Sequence, residues 1–148
     1  PANIIITCTD NTRSRKELWR FLKKYRETSV NNERAVYYWM DFGNAQTTGQ
    51  VIIGTVRNKI RQPASKEFIP VPEMNVITEE VNYSTIEEKD SGASCSLAEA
   101  LERQDLYINS ILAQVGCDIL WKMFKEGRIL YRGAYINLDT LRVNPIPV

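Results

Sequence analysis

The opening of the chain constrains the fold most, because a short β-branched run passes directly into an amphipathic helix. Residues Asn3–Thr9 are rich in isoleucine and threonine and lack polar alternation, which is typical of a strand covered on both faces in a parallel sheet. Apolar residues then recur at helical spacing at Leu18, Leu22 and Tyr25. This spacing predicts a helix over residues 13–27. The sequence therefore indicates an α/β fold whose first strand lies in the middle of the sheet.

Two further strands and a long connection follow this helix. The apolar segment 35–40 leads into Asp41-Phe42-Gly43-Asn44, and a third strand is predicted at 50–56. Residues 57–94 lose periodicity, contain several prolines and become acidic. An irregular connection of this length is more often a functional loop or a crossover than filler.

The C-terminal third contains the longest periodic stretch. Apolar residues at helical spacing over Ser96–Lys125 predict one long helix or two abutting helices, with Gly116 as the weak point. Residues 128–138 predict a β-hairpin that turns near Gly133. We expect a single domain over residues 1–148, with a mostly parallel sheet, a long C-terminal helix and a terminal hairpin.

Composition and charge exclude several classes of protein. With 148 residues, the chain is long enough to bury a core without a disulfide or a metal ion. Its 19 basic and 18 acidic residues leave a net charge of +1, which predicts no field that favours nucleic acid or a membrane surface. No apolar run approaches the roughly 20 residues of a membrane span. The N-terminus lacks the basic leader of a signal peptide, so a cytoplasmic protein is expected.

One face of the first predicted helix is nevertheless basic. Its lysines and arginines are Arg13, Arg15, Lys16, Arg20, Lys23, Lys24 and Arg26. A solvated helix face explains this set better than a nucleic-acid stripe does, because no aromatic interleaving or groove-reading motif accompanies it. We therefore expect no nucleic-acid partner.

The side chains available for chemistry are limited. The chain contains no histidine, which removes Ser-His and Cys-His catalysis and the commonest transition-metal ligand. Its three cysteines, Cys8, Cys95 and Cys117, form no Cys-x-x-Cys pair, so neither a disulfide framework nor a zinc site is indicated. Any catalysis must use carboxylates, thiols, cations or a bound ion.

The junction Cys8-Thr9-Asp10-Asn11, between the first strand and the first helix, is the main candidate site. Open α/β sheets bind ligands beyond the carboxyl ends of their strands, where Asp10 lies. A carboxylate there can cap the free N–H groups of the helix, or it can bind Mg²⁺ together with nucleotide phosphates. The spacing favours capping, and the two roles can coexist because a capping carboxylate has a second oxygen.

Several segments together have a familiar pattern. They are Ile4-Ile5-Ile6-Thr7-Cys8-Thr9-Asp10-Asn11 followed by Arg15, then Asp41-Phe42-Gly43, then Gly49-Gln50-Val51. This combination resembles the second half of the ThiF/MoeB family, the adenylyltransferases related to ubiquitin-activating enzymes. The C-terminal segments 94–101, 104–109 and 137–148 are similar, more narrowly, to the ThiF-type protein of the bacterial PRTRC gene system.

The resemblance covers nearly the whole chain and implies a dimer of Rossmann-like domains, here a homodimer. Such an enzyme uses ATP and Mg²⁺ to adenylate the C-terminal glycine of a ubiquitin-like or sulfur-carrier protein, with release of pyrophosphate. Asp10 matches the family's carboxylate for Mg²⁺ and ATP, with Asn11 and Arg15 beside it in the cofactor site. Arg15 either supports the site or lies on the helix surface.

The resemblance also draws attention to Cys95. Many ubiquitin-activating relatives pass the acyl group to a cysteine near a helix start, and Cys95-Ser96-Leu97 looks similar. The dipole of the following helix would stabilise a thiolate there. The alternative is a small residue that fills a position before the helix. Cys8 and Cys117 are expected to be inert core thiols.

The chain departs from the family in the elements that hold the nucleotide. It has no Gly-x-Gly-x-x-Gly, and the family's acidic ribose ligand, Asn-Arg segment and nucleotide-contacting lysine have no counterpart. The zinc-binding Cys-x-x-Cys pairs of many relatives are absent too. We therefore expect the C-terminal part of a longer adenylyltransferase, inactive alone. The alternative is a non-catalytic dimerisation or partner-binding module.

Overall fold

A five-stranded sheet with helices on both faces forms the fold. The computed structural model describes residues 3–28, 36–57, 60, 62–71, 73–83 and 105–148. The strands are β1 (Ile4–Cys8), β2 (Tyr38–Asn44), β3 (Thr48–Thr55), β4 (Tyr131–Asn137) and β5 (Arg142–Pro147). The helices are α1 (Thr12–Thr28), α2 (Ile77–Glu80) and α3 (Ile108–Lys125). The predicted α/β class is confirmed, and so is the first helix.

The described strands lie in chain order across the sheet, and the sheet is mixed. β1 and β2 are parallel, whereas the pairs β2–β3, β3–β4 and β4–β5 are antiparallel. The prediction of a mostly parallel sheet is therefore wrong. The connection from Asn44 to Thr48 is too short for a crossover between parallel strands, which needs roughly a dozen residues, so β2 and β3 form a hairpin.

β1 lies at an edge of the described sheet rather than in its middle, contrary to the prediction. It pairs with β2 on one side, and no other described strand adjoins it. Ile6 is 52% exposed. The isoleucine run gave a wrong prediction of the strand's position, because β-branched residues suit any pleated surface, whether it is covered on one face or on both.

Each face of the central strands packs against one long helix. On one face, Trp19 and Leu22 of α1 join a cluster with Trp39 and Ile52, and the two indole rings stack with centroids 6.1 Å apart. On the other face, the buried residues that pack together are Ile108, Leu112 and Ile119 of α3 with Met40, Val51 and Ile53. Consecutive residues of β2 and β3 therefore point to opposite clusters, as the pleat requires.

Gly116 lies in the middle of α3 without interrupting it. A Cβ at this position would overlap the ring of Phe42, so the glycine lets the helix approach the sheet closely. The predicted weak point is a packing contact. α3 ends before Gly127, whose φ of +66° is the usual backbone conformation after a helix. The part of the predicted long helix at 96–104 lies outside the described residues.

The C-terminal hairpin turns later than predicted. β4 runs through Gly133, and the chain reverses between Asn137 and Arg142, where Leu141 has a φ of 51°. A Cβ on Gly133 would collide with the carbonyl oxygen of Val51. The glycine therefore serves the close approach of β4 to β3, and the prediction of a turn at this position is wrong.

β5 is an edge strand that contains two prolines, Pro145 and Pro147. The Val148 N–H donates to the carbonyl oxygen of Leu130, beside β4, at 3.1 Å. Because alternate residues of a strand point their N–H groups to the same side, the proline nitrogens face away from β4. Proline is tolerated at such positions, where no ladder hydrogen bond is lost.

The described parts of the predicted 57–94 loop contain one helical turn, α2. Arg132 of β4 holds this turn, donating from Nη2 to Glu80 at 2.6 Å and from Nη1 to the Asn75 carbonyl at 3.0 Å. Tyr83 follows and is buried in the α1 cluster. In the described ranges, no helix has both the length and the apolar content that crossing a membrane requires.

Candidate functional site

A half-open cleft lies at the carboxyl ends of β1 and β2. These strands are parallel, so the residues that follow them meet at one edge of the sheet, the usual place for a ligand. The cleft has a volume of about 370 Å³. Its lining consists of Cys8, Thr9 and Asp10 after β1, Phe42, Gly43 and Asn44 from β2, and Asn109, Leu112 and Ala113 from α3. The predicted site at Asp10 is therefore part of a cavity that α3 helps to form.

Asp10 is exposed in this cleft, and its neighbour takes the capping role. The Asn11 Oδ1 accepts a hydrogen bond from the Ser14 N–H at 2.8 Å, the contact expected of a helix N-cap residue. The expectation that Asp10 caps α1 is therefore wrong. Within the described residues, the Asp10 carboxylate has neither a hydrogen bond nor an ion pair, so both of its oxygens can bind a ligand. The amide oxygen of Asn11 is used by the helix.

Two residues that line the cleft each carry a buried polar atom without a partner. Thr9 Oγ1 and Asn44 Nδ2 are shielded from solvent and make no hydrogen bond within the part of the chain that the structure describes. Buried polar groups are nearly always paired, so such atoms beside a cavity mark places where a ligand or water completes the bonding. A hydroxyl and an amide N–H₂ can both donate to an oxygen of a bound molecule. The cleft therefore presents a carboxylate without a described partner, and two of its lining residues, Thr9 and Asn44, carry a buried donor without a partner among the described residues.

Arg15 is buried beneath the cleft, so of the two roles expected for it, the position on the solvated face of α1 is wrong. Its Nε donates to Asp41 Oδ2 at 2.8 Å, and its Nη2 donates to the carbonyl oxygens of Thr9 at 2.6 Å and Phe42 at 2.9 Å. The guanidinium thus ties α1 to the ends of both parallel strands. It holds the backbone beside Asp10 in place and supports the site from below.

Asp41 is the buried partner of this arginine. Its second oxygen, Oδ1, accepts from the Thr7 hydroxyl at 2.6 Å, and that hydroxyl accepts from Trp39 Nε1 at 2.7 Å. Burial raises the pKa of Asp41, while the Thr7 hydrogen bond and the positive charge of Arg15 oppose the rise. Every oxygen of this carboxylate is used within the protein, so it cannot serve as a ligand group.

A steric reason explains why the Asp41-Phe42-Gly43 segment ends in glycine. A Cβ at Gly43 would collide with the side-chain amide of Gln50 and lie 2.7 Å from Arg15 Nη2. The part of the resembling motif around Gly43 is therefore explained by the packing of these two side chains.

The donor set suits a hard cation that shares its coordination with a ligand. Among the described residues, no three or more of His, Cys, Asp or Glu come together as a metal site. A self-sufficient protein cage for zinc or calcium is therefore not formed by this part of the chain. Mg²⁺ usually keeps several waters and takes one or two carboxylates plus phosphates. The single free carboxylate of Asp10 fits that mode of binding.

The cysteines differ from their predictions. Cys8 and Cys117 are both exposed, so the expectation of inert core thiols is wrong. Cys8 is exposed because β1 is an edge strand, and it lines the cleft. Cys117 is exposed because it lies on the outer face of α3. Cys95, the predicted acyl acceptor, lies outside the described residues.

Sequence reasoning missed Asn44 and Asn109 as lining residues of the cleft. The sequence contained a signal for Asn44, which ends the strand that follows β1 and α1. A strand reached through a crossover helix usually pairs in parallel with the first strand, so the ends of the two strands lie at the same edge of the sheet. Asn109 had none, because it reaches the cleft only through the packing of α3 on the far face of the sheet. No protein-family model matches the chain, and no curated protein matches it.

Proposed function

We propose that this chain supplies the metal-binding carboxylate of an ATP- and Mg²⁺-dependent adenylyltransferase that activates the C-terminus of a ubiquitin-like or sulfur-carrier protein. The observation that carries the proposal is the state of Asp10: exposed, unpaired within the described residues, and released from helix capping by Asn11. The parallel β1–β2 pair and the α1 crossover support the Rossmann-like ThiF arrangement that the proposal assumes.

The residues of the cleft have distinct roles in this reaction. When bound, Mg²⁺ and ATP provide an α-phosphorus that accepts a carboxylate oxygen of the carrier while the bond to pyrophosphate breaks. Asp10 would hold the cation, which neutralises negative charge on the phosphates. Thr9 Oγ1 and Asn44 Nδ2 can donate to ligand oxygens. Phe42 and Leu112 contribute apolar surface to the lining of the cleft.

Arg15 and Asn11 act through the backbone in this proposal. Arg15 fixes the carbonyl oxygen of Thr9, one residue before Asp10, and Asn11 fixes the first turn of α1. The Asn11 Oδ1 and the Arg15 Nε and Nη2 groups are all engaged within the protein. We therefore propose them as positioning residues, in place of the nucleotide contacts that the resemblance implies.

Cys95 remains a predicted acceptor of the activated acyl group. Transfer would form a thioester between its sulfur and the carrier's terminal carbonyl and would release AMP. A thiol-sensitive conjugate between the protein and its carrier, absent in Cys95→Ala, is the expected result. A conjugate that survives this substitution would remove Cys95 from the reaction.

The second candidate is a non-catalytic dimerisation or partner-binding module. Two observations favour it: the sequence has no glycine-rich phosphate loop, and the outer face of α3 carries large exposed aromatic residues. In that case the cleft would bind no nucleotide, and Asp10 would be an ordinary exposed carboxylate.

Binding of Mn²⁺ with ATP separates the two candidates. Mn²⁺ replaces Mg²⁺ in such sites and broadens the NMR signals of nearby nuclei. We expect selective broadening of the amide signals of Asp10, Asn11 and Asn44 on adding Mn²⁺ and ATP, and its loss in Asp10→Asn. The matched control is Asp118→Asn, which removes the charge of an exposed carboxylate on α3 whose partner among the described residues is Lys122.

Catalysis itself is tested by ATP–pyrophosphate exchange in the full-length protein with its carrier. Exchange that disappears in Asp10→Asn and persists in Asp118→Asn supports the proposal. Exchange that is unchanged in Asp10→Asn removes Asp10 from the mechanism. Absence of both exchange and Mn²⁺–ATP binding in the full-length protein favours the non-catalytic module.

A further inference from the structure

The outer face of α1 carries a positive charge that the rest of the chain does not share. α1 contains seven of the 19 basic residues and two of the 18 acidic residues, so the remainder of the chain has a net negative charge. Arg13, Arg20 and Lys24 are exposed, and their steps of seven and four residues place them on one side of the helix. We call these three residues, with Glu17 between them, the basic stripe.

This distribution of charge opposes the local preferences of a helix. α1 has no acidic residue in its first turn, where the positive end of the helix dipole disfavours cations, and Arg13 lies there instead. Arg20 is one turn from both Lys16 and Lys24, and like charges at that spacing repel each other. Departures of this kind from local preference are expected at functional surfaces.

Glu17 neutralises the basic stripe only in part. Its carboxylate accepts a hydrogen bond from Arg13 Nε at 2.9 Å, so it offsets one of the three cations. Within the described residues, Arg20 has neither a hydrogen bond nor an ion pair. The stripe therefore keeps a net positive charge at the protein surface.

An exposed phenylalanine borders the basic stripe. Phe21 is 54% exposed, and it lies one turn from both Glu17 and Lys24. The opposite face of α1 is used by the core, because Trp19 and Leu22 are buried in the cluster against the sheet. The outer surface of α1 therefore offers one large apolar contact beside several cations.

We propose that the outer face of α1 binds an acidic segment of a partner protein, with an apolar side chain of that segment packed on Phe21. The stripe from Arg13 to Lys24 is about 16 Å long, which about five residues of extended chain can span. Because α1 begins beside the cleft, the bound segment would lie near Asp10. The inference does not depend on the proposed function.

Two other anionic partners fit this surface less well. An anionic membrane binds helices that insert a broad apolar face, whereas the apolar face of α1 packs on the sheet and leaves Phe21 outside. A nucleic acid carries a negative charge at every phosphate, so its backbone would meet the carboxylate of Glu17 within the stripe. A protein segment can place a neutral residue at that point.

Titration of the isotope-labelled full chain with a synthetic peptide tests the proposal. The peptide is rich in glutamate and has one central leucine, and its binding is followed through the NMR signals of the α1 amides. We expect Arg20→Glu with Lys24→Glu to weaken binding at least tenfold, because two attractions become repulsions. The matched control is Lys125→Glu with Arg142→Glu, which changes two exposed cations outside α1 and alters the net charge equally. It should weaken binding far less.

The apolar contact gives a second measurement that attraction between charges alone would not produce. Phe21→Ser should weaken binding of the leucine peptide, but it should not affect a peptide with serine in place of the leucine. Equal affinities for the two peptides in the wild type would overturn the proposal. Equal losses in Arg20→Glu with Lys24→Glu and in its control would overturn it as well.

Competition identifies the class of partner. The two competitors are a single-stranded oligonucleotide and a vesicle that contains phosphatidylserine. If either binds α1 more tightly than the peptide does, and loses this binding in Arg20→Glu with Lys24→Glu, the proposal is overturned in favour of that partner. A peptide that leaves the α1 signals unchanged would also overturn it, whether or not the cleft binds Mn²⁺ and ATP.

Discussion

Two aspartates at the ends of neighbouring parallel strands have opposite environments. Asp41 is fully buried, and its oxygens accept from Arg15 and Thr7. Asp10 is exposed and has no partner among the described residues. The same chemical group therefore joins three elements of the fold in one place and is available to a ligand in the other.

The comparison shows that position at a strand end does not by itself make a carboxylate functional. Whether the carboxylate is structural or available to a ligand depends on the groups that surround it. A buried charge is kept only where other groups compensate it, so Asp41 belongs to the structure. An exposed carboxylate costs nothing to leave unpaired, so Asp10 can be replaced during evolution without loss of the fold. The following substitutions test this separation in stability and chemistry.

The largest effect is expected at Asp41. Asp41→Ala leaves the guanidinium of Arg15 buried without its counter-charge, and we expect a loss of about 3–5 kcal/mol in the free energy of unfolding, measured by urea denaturation. The double variant Arg15→Met with Asp41→Leu should lose less than the sum of the two single variants. A loss below about 1 kcal/mol in Asp41→Ala would contradict the structural role.

Tyr83 should report on the same buried pair at alkaline pH. Burial raises the pKa of Tyr83 from 10.0 to about 12, Arg15 lowers it, and Asp41 and Tyr135 raise it. Between these two values the unfolded chain loses the tyrosine proton while the folded chain keeps it. The free energy of unfolding therefore falls as pH rises through this window, by up to about 3 kcal/mol.

The variant Tyr83→Phe isolates that contribution. Its hydroxyl has no hydrogen-bond partner in the described structure, so the substitution should change stability little at neutral pH. We expect a smaller loss of stability between pH 10 and 12 than in the wild type, measured by denaturation at a series of pH values. Equal losses in the two proteins would show that Tyr83 titrates normally.

A moderate effect is expected at Asn11. Asn11→Ala removes the cap of α1 and should lower the free energy of unfolding by about 1 kcal/mol. Asn11→Asp retains an oxygen acceptor for the Ser14 N–H and should lose much less. Thermal or urea denaturation measures both variants. If Asn11→Ala is as stable as the wild type, the capping assignment fails.

The smallest effect on stability is expected at Asp10. Asp10→Asn changes an exposed side chain without a described partner and should alter the free energy of unfolding by less than about 0.5 kcal/mol. The same variant is expected to abolish Mn²⁺–ATP broadening. A loss of stability comparable to that of Asn11→Ala would instead indicate that Asp10 has a structural role.

Local patterns predicted the local structure well. The spacing of Leu18 and Leu22 is a property of the helix itself, and α1 forms where it was expected. The position of Asp10 after the first strand was likewise sufficient to place it in a cleft at the carboxyl ends of the parallel strands. Such features depend on neighbours within one or two turns of chain, which a sequence displays directly.

Features that depend on distant partners were not predictable in the same way. Arg15 looks like one of several surface cations in the sequence, and only the arrival of Asp41 and the Phe42 carbonyl beside it makes it a buried group. Strand direction failed for a related reason, because apolar runs are compatible with parallel and antiparallel pairing alike. The turn at Gly133 was misassigned because glycine also serves close packing of backbones.

The two margins of the sheet differ in what they can accept. At the β5 margin, the nitrogens of Pro145 and Pro147 face outward and carry no hydrogen. Another strand therefore cannot form a continuous ladder of hydrogen bonds with β5. At the β1 margin, no imino acid or charged residue interrupts Ile4–Cys8. Of these two margins of the described sheet, the isoleucine side is therefore where misassembly should begin at high concentration, and a lysine substituted for Ile6 is the first change to try for better solubility.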